Sequence, residues 1–307
     1  MKIFLCESIH PKALQLLREN AELINDWAQI GEVDGIIDRN LTLDRKMLEK
    51  AASLKAIAIH GTGTDGVDLN YCRERGITVF NVPYQNADSV AELIVGMSLM
   101  LLRKLHLADR LILAGAPIKN APPELFGSEL AGKTFGMIGV GDIALRAARI
   151  LRDGFRMKVI GHSPSLTPEK AESLGIGYCG SNEEVLQKAD IVNIGVRLTP
   201  ETKGMIDKDA LSLMKPTAVL INTARGGVID ETALYEALTN GMIAGAACDV
   251  FVSEPPTKAN PLVGLDNFIA LPHLGANTEE ALYRVGIKAA ENLLRALKGE
   301  TPEYLCI

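Results

Sequence analysis

Short apolar runs alternate with amphipathic stretches from the start of the chain: "KIFLC" is followed by "PKALQLLREN", "VDGIID" by "LDRKMLEKA", and "KAIAIHG" by the loop "TGTDGVD". Apolar runs of that length suit strands buried on both faces, and the helical periodicity between them suits helices laid over those faces. The pattern therefore predicts a parallel sheet. A long helix-like segment runs from Ser89 to about Ala114, and the connector "APIKNAPPELFG" follows, where Pro117, Pro122 and Pro123 mark irregular chain. Beyond it a second alternation begins with "KTFGMIG", "MKVIGHS", "DIVNIGV", "TAVLINTA", "IAGAACDV" and "NFIALPH", six strand-like runs that fit a doubly wound sheet. The last helix-like stretch, Thr278 to Lys298, has no strand after it in this second set and is expected to return to the first.

Composition narrows the partners. With 307 residues, 47% hydrophobic and 23% charged, the chain can bury two cores of ordinary size. A net charge of -6 and the lack of any Lys/Arg block argue against nucleic acid as a partner. The longest apolar run, "LIVGMSLMLL", is about half a membrane span and is flanked by Glu92 and Arg103, so it reads as a core helix and no membrane is expected. Five scattered cysteines without C-x-x-C spacing suggest neither disulfides nor a metal site, and place the protein in the reducing cytoplasm. The opening "MKIFLC" meets the charged Glu7 too early for a signal peptide and reads as a first strand.

The candidate chemistry starts at "MIGVGDIALR". Gly139 and Gly141 follow an apolar strand and precede an amphipathic helix, the context in which glycines let backbone N–H groups approach a pyrophosphate. Ala144 stands at the third glycine position, where a methyl is tolerated. Asp142 puts an acid in the first turn, which a helix dipole also welcomes in a protein that binds nothing there. The N–H groups of Ile143 and its neighbours remain available, with Arg197 a candidate counter-charge. At the end of the next strand, "VIGHSPS" places His162 and Ser163 where an NAD site usually has an acid, which tilts the cofactor from NAD towards NADP. The fold is thus read as α/β with two doubly wound parallel-sheet domains, a Rossmann-like dinucleotide domain over 104–277 inserted in a substrate domain formed by 1–103 and 278–307.

Three further strand ends each carry one reactive side chain: Arg225 in "LINTARGGVID", Glu254 in "CDVFVSEPP" and His273 in "LPHLGANT". Together they suggest carbonyl reduction, in which a His donates a proton, a carboxylate orients it and an Arg fork holds a substrate carboxylate. Taken singly, His273 and Glu254 are as well explained as surface residues. Arg225, set before two glycines, is harder to explain as structure alone.

The segments "HGTGTDGVDL", "NVPYQNADSVAEL", "GSELAGKTFGMIGVGDIA", "LTPETKGMID", "LINTARGGVIDETAL", "DVFVSEPP" and "PHLGANTEEA" occur in the order and approximate spacing of the D-isomer-specific 2-hydroxyacid dehydrogenases. Over nearly its whole length the chain resembles that family, most of all its short phosphoglycerate dehydrogenases, and no regulatory C-terminal domain is expected. The resemblance implies His273 as the acid/base, Glu254 as its partner, and Arg225 as the residue that binds carboxylate and polarises the keto oxygen. Asp249 would accept from the nicotinamide amide, and Thr62, Gly63 and Thr64 would offer backbone N–H groups to the substrate carboxylate. Thr199, in "LTPETKGMID", and Thr223, in "LINTARGGVID", complete the cofactor-binding set.

Departures from the family pattern are Asp142, Gly195 and Arg197 in a segment more often H-x-P, Gln85 where glycine is common, and His162 in place of an acid. On the same fold, a glyoxylate or hydroxypyruvate reductase and a lactate or phosphite dehydrogenase stay open. So does a cofactor-sensing, corepressor-like binding protein. A homodimer is expected, with contacts from the long helix after Ser89 and the Pro-rich connector.

Overall fold

Two parallel sheets organise the chain. The computed structural model describes residues 1–116, 120 and 122–307, so Pro117 of the connector lies outside the described residues. Met1–Ser89 and Ala276–Ile307 form one unit, and Val90–Gly275 forms the other.

The first unit contains β1 (Lys2–Leu5), β2 (Glu22–Ile24), β3 (Gly35–Asp38), β4 (Ala56–Ile59) and β5 (Thr78–Phe80), all parallel, in the order β2-β1-β3-β4-β5. Alternation along the strands divides the core: Phe4, Ile36, Ile57 and Val79 face one side, and Ile3, Ile37, Ala58 and Phe80 the other. The helix Glu279–Leu297 covers the second face with Val285, Ala289 and Leu293, beginning at Thr278, whose side chain accepts from Ala281 N. That helix thus lies within the first unit. The edge of β5 is covered by the chain end, since Cys306 N donates to Val79 O at 2.8 Å and Val79 N to Ile307 O at 3.1 Å.

The second unit contains β6 (Thr134–Ile138), β7 (Lys158–His162), β8 (Gly177–Tyr178), β9 (Ile191–Ile194), β10 (Val219–Asn222), β11 (Gly245–Cys248) and β12 (Phe268–Ala270). They are parallel in the order β12-β11-β10-β9-β6-β7-β8, so the winding reverses between β6 and β9, where such sheets bind ligands at their carboxyl edge. Phe135, Met137, Ile191 and Ile221 fill one face, and Ile138, Val192, Ile194 and Leu220 the other.

The long helix expected from Ser89 to about Ala114 is broken in two, Ala87–Leu102 and Leu105–Leu113, with Lys104 in a left-handed conformation (φ 56°) between them. Gly127 and Ser128 occupy the line of continuation: Ser128 N donates to Leu102 O at 2.7 Å, and a Cβ on Gly127 would lie 2.5 Å from the same oxygen. Val90, Ile94, Met97 and Leu101 pack with Phe135 and Met137, so most of the first helix belongs to the second unit. The partition accordingly falls at Ser89/Val90, where the sequence reading placed it after Arg103.

The chain passes between units at two neighbouring points. Ser89 Oγ and Thr278 Oγ1 share a hydrogen bond at 2.8 Å within the first unit, and a Cβ on Gly275 would meet Val90 Cγ2 at 3.2 Å within the second. Among the described residues no helix is long and apolar enough to cross a membrane.

Candidate active site

The candidate residues of the second unit gather at the carboxyl edge of its sheet. Gly139 leaves β6 at φ +92°, and a Cβ on it would lie 2.6 Å from Gly195 O. Gly195 N in turn donates to Ile138 O at 2.7 Å. The two glycines thus pack backbone against backbone where the winding reverses, which gives the unusual Gly195 a steric reason. Gly141 precedes the helix Asp142–Phe155, and a Cβ there would meet nothing within 4 Å, so the approach to the helix N-terminus is unobstructed. That geometry fits a pyrophosphate. Ala144 is buried in the core beneath, with Ile143 packed partly against it.

The counter-charge of Asp142 is Arg146, not Arg197: Arg146 Nε donates to Asp142 Oδ2 at 3.0 Å, one helical turn on. Arg197 sits in the turn after β9, where its carbonyl accepts from Thr202 Oγ1 at 2.6 Å, and Thr199 N donates to that same hydroxyl at 2.8 Å. His162 ends β7 and donates from Nδ1 to Cys179 O at 2.9 Å, while Ser163 O accepts from Leu166 N at 3.0 Å.

Asn222 shapes the loop that carries Thr223 and Arg225. Its Oδ1 accepts from Ala224 N at 3.0 Å and its Nδ2 donates to Arg225 O at 3.0 Å. Gly226 then lies flat on Phe251, whose carbonyl carbon would be 2.0 Å from a Cβ at that position. This close approach joins the Arg225 loop to the segment bearing Glu254. Arg225 Nη1 donates to Ala224 O at 2.7 Å.

Glu254 Oε1 accepts from Phe251 N at 3.0 Å, and Glu254 Oε2 lies 2.8 Å from His273 Nδ1. Burial pushes the Glu254 carboxyl up, but the bonds from His273 and Phe251 and the charges of His273 and Arg225 outweigh it and hold the group below its usual range. The two side chains are 33% and 30% exposed, so the pair is reachable from solvent.

His273 itself adopts φ +56°, a conformation disfavoured for a residue with a Cβ. Asp249, at 1% exposure, holds it there. His273 N donates to Asp249 O at 2.9 Å, Leu274 N to Asp249 Oδ1 at 2.6 Å and Gly275 N to Asp249 Oδ2 at 2.8 Å. Burial raises the Asp249 pKa despite these bonds. Both of its oxygens already serve the His273 loop, a role the sequence did not disclose.

Thr62, Gly63 and Thr64 follow β4 in the first unit, where Thr62 O accepts from Asn81 Nδ2 at 2.7 Å. Arg225, Asp249, Glu254 and His273 are thus brought together within the second unit, and the Thr62–Thr64 loop belongs to the other. Sequence reasoning missed Arg146 and Asn222. The four-residue spacing from Asp142 was the available signal for Arg146, and an Asn closing a strand before "TARG" was the signal for Asn222.

Residues 95–275 match the profile of the D-isomer specific 2-hydroxyacid dehydrogenase, NAD binding domain. A D-3-phosphoglycerate dehydrogenase of Methanocaldococcus jannaschii is 38% identical over 312 residues, covering 99% of this chain and 59% of that protein. The chain therefore spans about three fifths of that relative's length. A glyoxylate reductase of Thermofilum pendens is 36% identical, covering 99% of this chain and 94% of its own. Among solved structures, an NADPH-dependent glyoxylate/hydroxypyruvate reductase of Sinorhizobium meliloti superposes with a TM-score of 0.87 at 30% identity, covering 99% of this chain and 97% of that one.

Proposed function

The chain belongs to the D-isomer specific 2-hydroxyacid dehydrogenase family, and on that premise we propose that it interconverts a 2-keto acid and its D-2-hydroxy acid with a nicotinamide cofactor. The observation that carries the reading is the His273–Glu254 pair at 2.8 Å, with the Arg225 loop laid against the same segment through Gly226. His273, bonded to Glu254 through Nδ1, donates a proton from Nε2 to the keto oxygen in reduction and removes it in oxidation. Glu254, held in its ionised form, orients the ring and stabilises the imidazolium. The Arg225 guanidinium grips the substrate carboxylate and polarises the keto group.

The cofactor, when bound, supplies or accepts the hydride. Gly139, Gly141 and the N–H groups around Asp142 and Ile143 hold its pyrophosphate. Thr199, Thr223 and Asp249 complete its site, with Asp249 also accepting from the nicotinamide amide. His162 and Ser163 oppose no 2′-phosphate, which supports NADPH beside NADH.

A small unphosphorylated substrate fits better than 3-phosphoglycerate. The strand ends of the first unit carry Glu7 and Arg39, while burial raises the Asp38 pKa to about 7 and burial and then the charge of Arg39 lower that of His60 to about 4, so these four groups gather no excess of positive charge. The glyoxylate reductase matched over 94% of its length agrees with that balance. Leu105, Ile112, Leu113 and Phe126 are exposed apolar side chains that support a homodimer face, and cysteine usage supports the cytoplasm. Turnover of glyoxylate, hydroxypyruvate, pyruvate and 3-phosphohydroxypyruvate with NADH and NADPH tests the reading. Reduction of the first two by either cofactor is expected, His162→Asp should move preference towards NADH, and no turnover of any of the four would overturn the function.

A further inference from the structure

Glu231 opens the helix Glu231–Thr239, yet its carboxylate does not serve the helix start. Asp230 is the cap, accepting from Thr232 N at 2.9 Å and Ala233 N at 3.1 Å. Glu231 instead reaches the segment that follows β11. Its Oε1 accepts from Val252 N at 2.8 Å, and its Oε2 accepts from Asn260 Nδ2 at 2.8 Å. These two ties bracket Glu254 in sequence. The far tie is fixed in its turn, because Asn260 Oδ1 accepts from Leu262 N at 3.0 Å.

Two consecutive backbone N–H groups are thus divided between two carboxylates. Phe251 N goes to Glu254, which continues to His273, and Val252 N goes to Glu231, which is anchored on a helix. The Val252 side chain is of little help in fixing the segment, since the residue is 67% exposed. Gly226 supports Phe251 from below, and Glu231, five residues further along the same chain segment, holds the next amide.

We propose that Glu231 is a positioning residue for the acid–base pair, acting through Glu254; this rests on the reading of His273 and Glu254 given above. When Val252 N loses its acceptor, the short turn that aims Glu254 at His273 is no longer fixed, and fewer molecules hold the imidazole in the working orientation. The glycine turn at Gly139 and Gly141 lies on another strand, and Asp249 is held by its own bonds from Leu274 N and Gly275 N, so cofactor affinity is expected to stay unchanged.

The test is a double-mutant cycle of Glu231→Ala and Glu254→Gln in the full chain, read as kcat, KM for the keto acid, the pH profile of reduction and the Kd for NADH. Glu231→Ala is expected to lower kcat by about tenfold, a part of what general acid catalysis is worth. It should move the pH profile in the same direction as Glu254→Gln and leave the NADH Kd unchanged. In the Glu254→Gln background it should have no further effect. Glu231→Gln, which keeps a carbonyl oxygen for Val252 N, should recover most of the rate.

A loss of the same size in both backgrounds overturns the positioning role alone, whereas a Glu254→Gln enzyme as active as the parent overturns the acid–base reading and this role with it. Should Glu231→Ala fail to fold, Asn260→Ala removes the far tie, together with the Leu262 N bond that fixes it, and leaves Val252 N bonded to Glu231. A smaller kcat loss that vanishes in the Glu254→Gln background is then expected, and one that persists overturns the proposal.

Discussion

Asp142 and Arg146 are ion-paired at 3.0 Å along the first turn of the helix that begins at the glycine turn. Their side chains are 37% and 32% exposed, so the pair itself adds little to stability. Its effect is on the charge that an anion meets at the helix N-terminus. Asp142→Asn removes a like charge worth about 1 kcal/mol of repulsion when screened, and takes away the carboxylate to which Arg146 Nε donates. Affinity for NADH and NADPH should rise several-fold together, and Arg146→Ala should lower both. Fluorescence titration measures this, and unchanged affinities would place the dinucleotide away from this turn.

His273→Ala should reduce keto-acid turnover by about a hundred- to ten-thousand-fold while cofactor affinity stays close to that of the parent. The contrast matters because the glycine turn follows β6, whereas Glu254 and His273 follow β11 and β12 of the same sheet. Single-turnover kinetics with matched cofactor saturation would show it, and retained chemistry would remove His273 from the mechanism.

Gly226 and Gly141 should answer the same substitution in opposite ways. An Ala at Gly226 drives its methyl to 2.0 Å from the Phe251 backbone, which cannot move aside as a side chain could. Overpacking of this kind costs about 1–3 kcal/mol, and Tm should fall by roughly 2–12 °C. Gly141→Ala meets nothing within 4 Å and should leave Tm unchanged while weakening cofactor binding. Calorimetry paired with titration separates the two, and a stable Gly226→Ala protein would mean the Arg225 loop does not rest on Phe251.

Asp38 predicts a pH dependence of stability. Burial first, then the charge of Glu7, raises its pKa to about 7, against the weaker opposing bond from Cys6. An unfolded Asp titrates near 3.9, so between about pH 4 and about pH 7 the folded chain keeps a proton that the unfolded chain releases. The contribution is complete below the unfolded value and is lost as pH rises through the folded one. Asp38→Asn, neutral throughout, should melt progressively above the parent from about pH 4 to about pH 7 and hold a constant advantage of several degrees at higher pH. Parallel melting curves across that range would show that Asp38 is ionised in the fold.

Much of this was legible in the sequence because parallel strands buried on both faces read as apolar runs, and "TFGMIG", "VLINTA" and "FIALPH" map onto β6, β10 and β12. Arg225, Glu254 and His273 were visible because each follows such a run. The break at Lys104 was not, since it depends on Gly127 and Ser128 arriving from later in the chain. Asp249 and Glu231 were equally hidden in these positioning roles: both are acids that accept from backbone N–H groups, and a backbone amide leaves no mark in a sequence. Gly195 reads in the sequence as a departure from the family pattern, and its reason, the backbone of Gly139 against it, exists only in the fold.

The adjacency of Ser89 with Thr278, and of Val90 with Gly275, bears on how the chain reaches its fold. A domain interrupted by another must bring together ends separated by the whole intervening polypeptide, and the entropy of that closure grows with loop length. Here the inserted Rossmann sheet clasps its own two ends, so once it has folded, the host sheet needs to close only a short connection. The inserted portion is then expected to fold early and without its host. Residues 90–275 expressed alone should unfold cooperatively in denaturant, and an isolated 90–275 that stays disordered would show that the two sheets form together.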